Sequence, residues 1–182
     1  MLPGAVDPHV HLDMPLGETR SSDDCGSGTQ AALIGGTTTL IDFVEPAPGQ
    51  YLVEAFRDRR WLAEQKAAID FSLHMTLTSA GPEIVQQLPS VFEAGMTSFK
   101  MYTTYEGFRL DDRSLLDLLE AVSSIGGLPI IHAESDAIVS AWAEKMLEAA
   151  KDSPASYPRS RPSIAEVEAI QRVLALNEAV RA

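Results

Sequence analysis

Apolar, β-branched runs alternate along this chain with stretches in which apolar residues recur at helical spacing. The run Thr37-Thr38-Thr39-Leu40-Ile41-Asp42-Phe43-Val44 is nearly continuous rather than alternating, the pattern of a strand buried on both faces. Runs of the same kind predict strands at 69–78, 97–105 and 128–134, and a short apolar run at 2–6 reads as a first strand. Between them, 27–35, 51–68, 83–94 and 111–125 read as helices. Leu52, Ala55, Phe56, Leu62 and Ala63 lie near helical spacing in the second, and Leu115, Leu116, Leu118, Leu119 and Val122 turn inward in the fourth. Pro89 interrupts or bends the third. Two more helices are expected at 135–150 and 163–182, the latter opening on Ser163-Ile164-Ala165-Glu166, a capping-box pattern, with a Pro- and Ser-rich loop over 151–162.

This is strand then helix, five times over, with a repeat of roughly 30 residues, the rhythm of a parallel sheet with helical crossovers. Two architectures have that rhythm, a TIM-type barrel and an open doubly wound sheet. A nucleotide-binding open sheet carries a glycine-rich phosphate loop after its first strand, and neither G-x-G-x-x-G nor G-x-x-x-x-G-K-[ST] occurs here. The barrel is therefore favoured, yet a closed one needs eight strands and about 200–250 residues or more. The chain has 182 residues. The expected fold class is thus α/β, a partial TIM (β/α) barrel, with 1–182 as one domain carrying strands 1–5 and their helices and lacking strands 6–8.

Composition narrows the function classes. A formal net charge of −12 and a pI near 4.6 argue against nucleic acid or an anionic membrane surface as partner. No apolar run approaches the ~20 residues of a membrane span, and Met1-Leu2-Pro3-Gly4 lacks the charged start of a signal peptide. The single cysteine, Cys25, excludes a disulfide framework and points to a reducing, cytoplasmic setting. Asp23 and Asp24 beside it raise its pKa and speak against a nucleophile.

The candidate chemistry gathers at strand ends. In Asp7-Pro8-His9-Val10-His11-Leu12-Asp13 two histidines sit one residue apart, so an extended backbone aims both imidazoles to one face, where they suit a transition metal. Lys100 lies within an apolar strand, where a buried lysine is costly unless modified or paired. As a carbamate it would offer two oxygens able to bridge two metals. His132 ends the fifth strand and is followed by Glu134, and Tyr105 lies just past the fourth, where a phenol could donate to an oxyanion. His74, inside the third strand, reads as structural or as a residue that supports the site's own side chains.

Taken together these residues resemble the cyclic amidohydrolases, specifically the dihydropyrimidinase/hydantoinase group, over essentially the whole chain. The carriers are Pro3-Gly4 with Asp7 to Asp13, Gly35-Gly36-Thr37-Thr38 with Ile41-Asp42-Phe43-Val44, Ser98-Phe99-Lys100 with Tyr105, His132-Ala133-Glu134, and Ser160-Arg161-Pro162 leading to Glu166 and Glu168-Ala169. The resemblance implies a metal-dependent hydrolase that opens small cyclic amides or ureides. It implies two divalent metal ions, zinc, and an N-carboxylated Lys100, with His9, His11, Lys100 and His132 as metal ligands and Tyr105 as the catalytic oxyanion stabiliser. The family's further ligands, a histidine of strand 6 and an aspartate of strand 8, have no counterpart here, nor do the strands of its small β-sandwich. Weak or partial metal binding and little or no turnover by this chain alone are therefore expected. The exposed edges of a five-stranded sheet predict a homo-oligomer. Alternatives are a non-catalytic assembly or scaffold relative, and an allantoinase- or dihydroorotase-like hydrolase.

Overall fold

The structure, a computed structural model, describes residues 2–16, 18–149 and 153–180. Positions 1, 17, 150–152, 181 and 182 lie outside it, and with them the ends of the last two expected helices and part of the expected 151–162 loop. In chain order the elements are β1 (Ala5–Asp7), β2 (Pro15–Leu16), β3 (Thr19–Arg20), α1 (Cys25–Gly35), β4 (Thr37–Val44), α2 (Leu52–Glu64), β5 (Asp70–Thr76), α3 (Pro82–Val85), α4 (Leu88–Glu93), β6 (Ser98–Tyr102), α5 (Asp112–Ser124), β7 (Leu128–His132), α6 (Asp136–Glu148), a 3-10 helix (Pro154–Ser160) and α7 (Ser163–Val180). The main sheet has the order β1-β4-β5-β6-β7, the succession of strands around a (β/α) barrel wall, and the fold class is the expected partial TIM barrel. None of the described helices is long and apolar enough to cross a membrane.

The chain divides into two compact units, one of residues 1–76 with 87–99, the other of 77–86 with 100–182. In the first, β1 pairs parallel with β4 and β4 parallel with β5. The C-terminal half of β4 and of β5 is buried, with Leu40, Phe43, Val44, Leu73 and Met75 inside. α2 covers them through Leu52, Ala55, Phe56 and Ala63, the residues its helical spacing singled out, with Leu62 left on the outer side. α1 lies against β4 and α2. It starts two residues before the expected 27–35 because Asp24 caps it: its carboxylate accepts from Ser27 N at 2.9 Å while Ser27 Oγ accepts from Asp24 N. Gly36 then ends the helix in the left-handed conformation, φ 93°, that favours glycine.

Thr29 is the polar pin of this packing. It is fully buried in α1, donates to Cys25 O at 2.6 Å and accepts from Ala68 N at 3.0 Å. Thr29→Val keeps the shape and removes both bonds, leaving Ala68 N without its acceptor. The urea midpoint should fall by an amount equivalent to about 1–2 kcal/mol at unchanged slope. An unmoved midpoint would show that the hydroxyl contributes nothing.

In the second unit α5 carries the clearest stripe: Leu115, Leu118, Leu119 and Val122 are all buried, and Asp111 caps the helix by accepting from Ser114 N at 2.7 Å. α5 packs on α7 and β7, and α6 on α7 and the 3-10 helix. Three local expectations are revised. The single helix over 83–94 is two, α3 and α4, broken at Gln86 and Gln87, and Pro89 stands in the first turn of α4, where its missing N–H costs nothing. Pro15-Leu16-Gly17 is a loop signal in the sequence, yet Pro15 and Leu16 pair antiparallel with Thr19 and Arg20 in a hairpin too short to show periodicity. Part of the expected 151–162 loop forms the 3-10 helix.

Candidate functional site

In the first unit the chain leaves β1 and carries His9 and His11 side by side, with ring centroids 5.3 Å apart. Both rest on one ring of β4, Phe43: His11 stacks on it at 4.5 Å and 16°, and His9 meets it at 4.7 Å. Phe43 in turn touches His74 at 5.0 Å. His74 is engaged through both ring nitrogens. Its Nε2 lies 2.9 Å from Pro8 O, which only accepts, so Nε2 donates, and Nδ1 is hydrogen-bonded with Ser98 Oγ at 2.5 Å. The histidine segment is thereby tied through Pro8 to β5.

A second tie runs through Asp42, buried on β4, which accepts from Leu12 N at 3.2 Å and pairs with Arg59 of α2. Arg59 also donates to Leu12 O at 2.5 Å. Beside His11 a cleft of about 310 Å³ is lined by Asp42, Glu45, Arg59 and Gln50 among others. Burial pushes the Glu45 carboxyl up, against the pull of Arg59. Cys25 is buried, with Sγ 3.9 Å from Ala63 O, and burial pushes its thiol up, with Asp42 and Asp24 acting in the same direction. Both findings agree with a thiol that is no nucleophile.

In the second unit Lys100, Tyr102, Tyr105 and His132 form one cluster. Lys100 is 3% exposed, its Nζ lies 4.9 Å from the centre of the Tyr102 ring, and burial lowers its pKa from 10.5 to about 8. The His132 ring is 5.8 Å from Tyr102 and 5.0 Å from Tyr105. Tyr105 adopts φ 76°, which a tyrosine rarely does, and its carbonyl accepts from Phe108 N at 3.1 Å and Arg109 N at 2.9 Å. Burial pushes its phenol up, partly offset by Arg161, which keeps it a hydrogen-bond donor.

The two-metal expectation is corrected here. Among the described residues, no group of three or more His, Cys, Asp or Glu side chains gathers to hold a metal ion. Two zinc ions on His9, His11, Lys100 and His132, with Lys100 carboxylated, lack the donor set they require. The side chains have other engagements: His11 against Phe43, His132 Nε2 with Glu134 at 2.9 Å, Lys100 above Tyr102.

Sequence reasoning missed Asp42, Arg59 and Arg161 as builders of these clusters. Asp42 had a legible signal, a lone carboxylate in a buried apolar run, which is costly without a cation.

No family model matches the chain. Individual relatives do. A D-hydantoinase of Geobacillus stearothermophilus is 38% identical over 98% of this chain, and a dihydropyrimidinase of Dictyostelium discoideum is 35% identical over 99%. The crystal structure of a dihydropyrimidinase from Brevibacillus agri matches the whole chain with a TM-score of 0.94 at 35% identity, over 40% of that structure's chain. By sequence and fold together, the chain belongs to the dihydropyrimidinase/hydantoinase family. It spans 38% and 36% of the length of the two curated relatives.

Proposed function

We propose that this chain belongs to a hydrolase that opens small cyclic amides or ureides, with His9, His11, Lys100, His132 and Tyr105 as its functional residues. Opening such a ring requires a group that takes a proton from attacking water and a donor that stabilises the tetrahedral oxyanion. His132, backed by Glu134, is suited to the first task. Tyr105, kept protonated by burial, is suited to the second. The observation that carries the reading is the 35–38% identity to a D-hydantoinase and a dihydropyrimidinase along nearly the whole chain.

The test is prolonged incubation of the chain with 5,6-dihydrouracil or hydantoin, with mass-spectrometric detection of N-carbamoyl-β-alanine or N-carbamoylglycine. We expect slow product formation that Tyr105→Phe lowers. Product at the buffer rate from the wild-type chain would defeat the proposal, and equal rates in both proteins would remove Tyr105 from it.

A further inference from the structure

Tyr105 stands in a loop whose backbone an unconstrained tyrosine would leave. Its φ is 76°, in the left-handed region that glycine tolerates and a tyrosine rarely adopts. Such a conformation persists only where the surroundings hold it on both sides. Here they do. Upstream, Thr103 N donates to His132 O at 3.1 Å, and the Thr104 hydroxyl, on a residue 2% exposed, donates to Asp136 Oδ1 at 3.0 Å. Downstream, the Tyr105 carbonyl accepts from Phe108 N and Arg109 N, and Leu110 N donates to Tyr102 O at 2.9 Å. The Arg109 guanidinium then pairs with Asp136 Oδ2. Both arms of the loop thus end on one carboxylate, in the first turn of α6.

We propose that Asp136 is a positioning residue that brackets Tyr105, holding its backbone in the left-handed conformation and so fixing where its phenol stands. A carboxylate has two oxygens, and each takes one arm. Oδ1 accepts from the residue before Tyr105, and Oδ2 pairs with the residue whose N–H closes on the Tyr105 carbonyl. The two arms differ in weight. The Arg109 side chain is 55% exposed, where water and salt screen an ion pair. The Thr104 hydroxyl is shielded from water, so it has no ready substitute for the bond to Asp136. Thr104 therefore carries most of the hold, and Arg109 closes the loop. Without the bracket Tyr105 relaxes to negative φ, which turns its ring out of its place 5.0 Å from His132 and 6.0 Å from Tyr102. An oxyanion donor contributes only when it is already in place as the charge develops. The inference rests on Tyr105 being the oxyanion donor of the proposed function, but the backbone conformation it assigns is measurable without turnover.

A carboxylate that served only α6 or the charge of Arg109 would affect stability and leave Tyr105 unmoved. NMR of the whole chain, labelled with nitrogen-15 tyrosine, separates the two roles. A positive φ brings an amide proton close to its own Hα, so the intra-residue amide–Hα NOE is markedly stronger than at negative φ. The Tyr105 peak is assigned by its absence in Tyr105→Phe. We expect the strong NOE in the wild type and in Asp136→Asn, whose amide oxygen still accepts from Thr104. In Asp136→Ala it should fall to the level of the other tyrosines. Thr104→Val leaves Asp136 and α6 in place and should weaken it too, which decides the matter if Asp136→Ala fails to fold. Amide dispersion checks that each variant is folded. An ordinary NOE at Tyr105 in the wild type overturns the proposal. So does a folded Asp136→Ala or Thr104→Val that keeps the strong NOE, or an Asp136→Asn that loses it as the alanine variant does. In the ring-opening assay Asp136→Ala should lose about as much rate as Tyr105→Phe, and the double variant no more than either. Losses that multiply would overturn the proposal. No product from the wild-type chain would bear on the proposed function and leave the NMR readout standing.

Discussion

Replacing Asp42 by alanine lowers the unfolding free energy by about 3–5 kcal/mol, the range for breaking one partner out of a buried ion pair. The size follows from what the substitution leaves behind. Arg59 is only 18% exposed at its side chain, its Nε is already buried with no hydrogen-bond partner, and Asp42 is its counter-charge. Asp42 also accepts from Leu12 N, so its loss opens a second buried donor just after His11. The damage is local before it is global: the backbone that places His9 and His11 against Phe43 is tied at Leu12 by Asp42 and Arg59 together. Arg59→Ala should cost a comparable amount, and the double variant should cost clearly less than the sum, because the second deletion removes the orphan made by the first. Urea unfolding of the four proteins supplies the cycle. Single variants within about 1 kcal/mol of wild type, or strict additivity, would show that the pair carries no such weight.

How much of this could be read from the chain depends on the range of the interaction. The strands were legible because β4 is a run that must be buried on both faces, and α5 was legible because Leu115, Leu118, Leu119 and Val122 repeat at helical spacing. The hairpin of β2 and β3 was not, since two residues per strand carry no period. The break between α3 and α4 was displaced, because Pro89 is a breaker in a helix interior and harmless in a first turn, and only the structure tells which turn it occupies. At the candidate site the pairing of His9 with His11 and the nearness of His132 to Glu134 follow from spacing alone. The union of Asp42 with Arg59, 17 positions on, and of Glu134 with Arg161, 27 positions on, arises from helix packing that no local pattern encodes. The metal expectation went further than the residues allow: it joined the His9–His11 spacing, Lys100 and His132 with ligand roles implied by the resemblance, and the side chains have other partners.

Lys100→Met should make the protein more stable near neutral pH, by about 2–3 kcal/mol, at the cost of a proposed functional group. Lys100 is 3% exposed, and burial takes its pKa from 10.5 to about 8. Below about 8 the folded and unfolded chains both hold the proton, and folding carries the net cost of burying the ammonium. Between about 8 and 10.5 the unfolded chain binds more protons than the folded one, so wild-type stability rises with pH relative to the variant. Above 10.5 the amine is neutral in both states and the cost is gone. Methionine has a similar length, no charge and a flexible stem that packs in the same volume. Its advantage should therefore be largest near neutrality, shrink as pH climbs past about 8, and vanish in strong base. Other groups titrate alike in both proteins and cancel in the difference. Paired urea midpoints across that range decide the matter. A variant no more stable than wild type near neutrality, or a gain that stays constant with pH, would mean that contacts of the ammonium offset its desolvation. A confirmed gain would identify Lys100 as a group the fold holds against its own stability, which marks functional chemistry more often than packing.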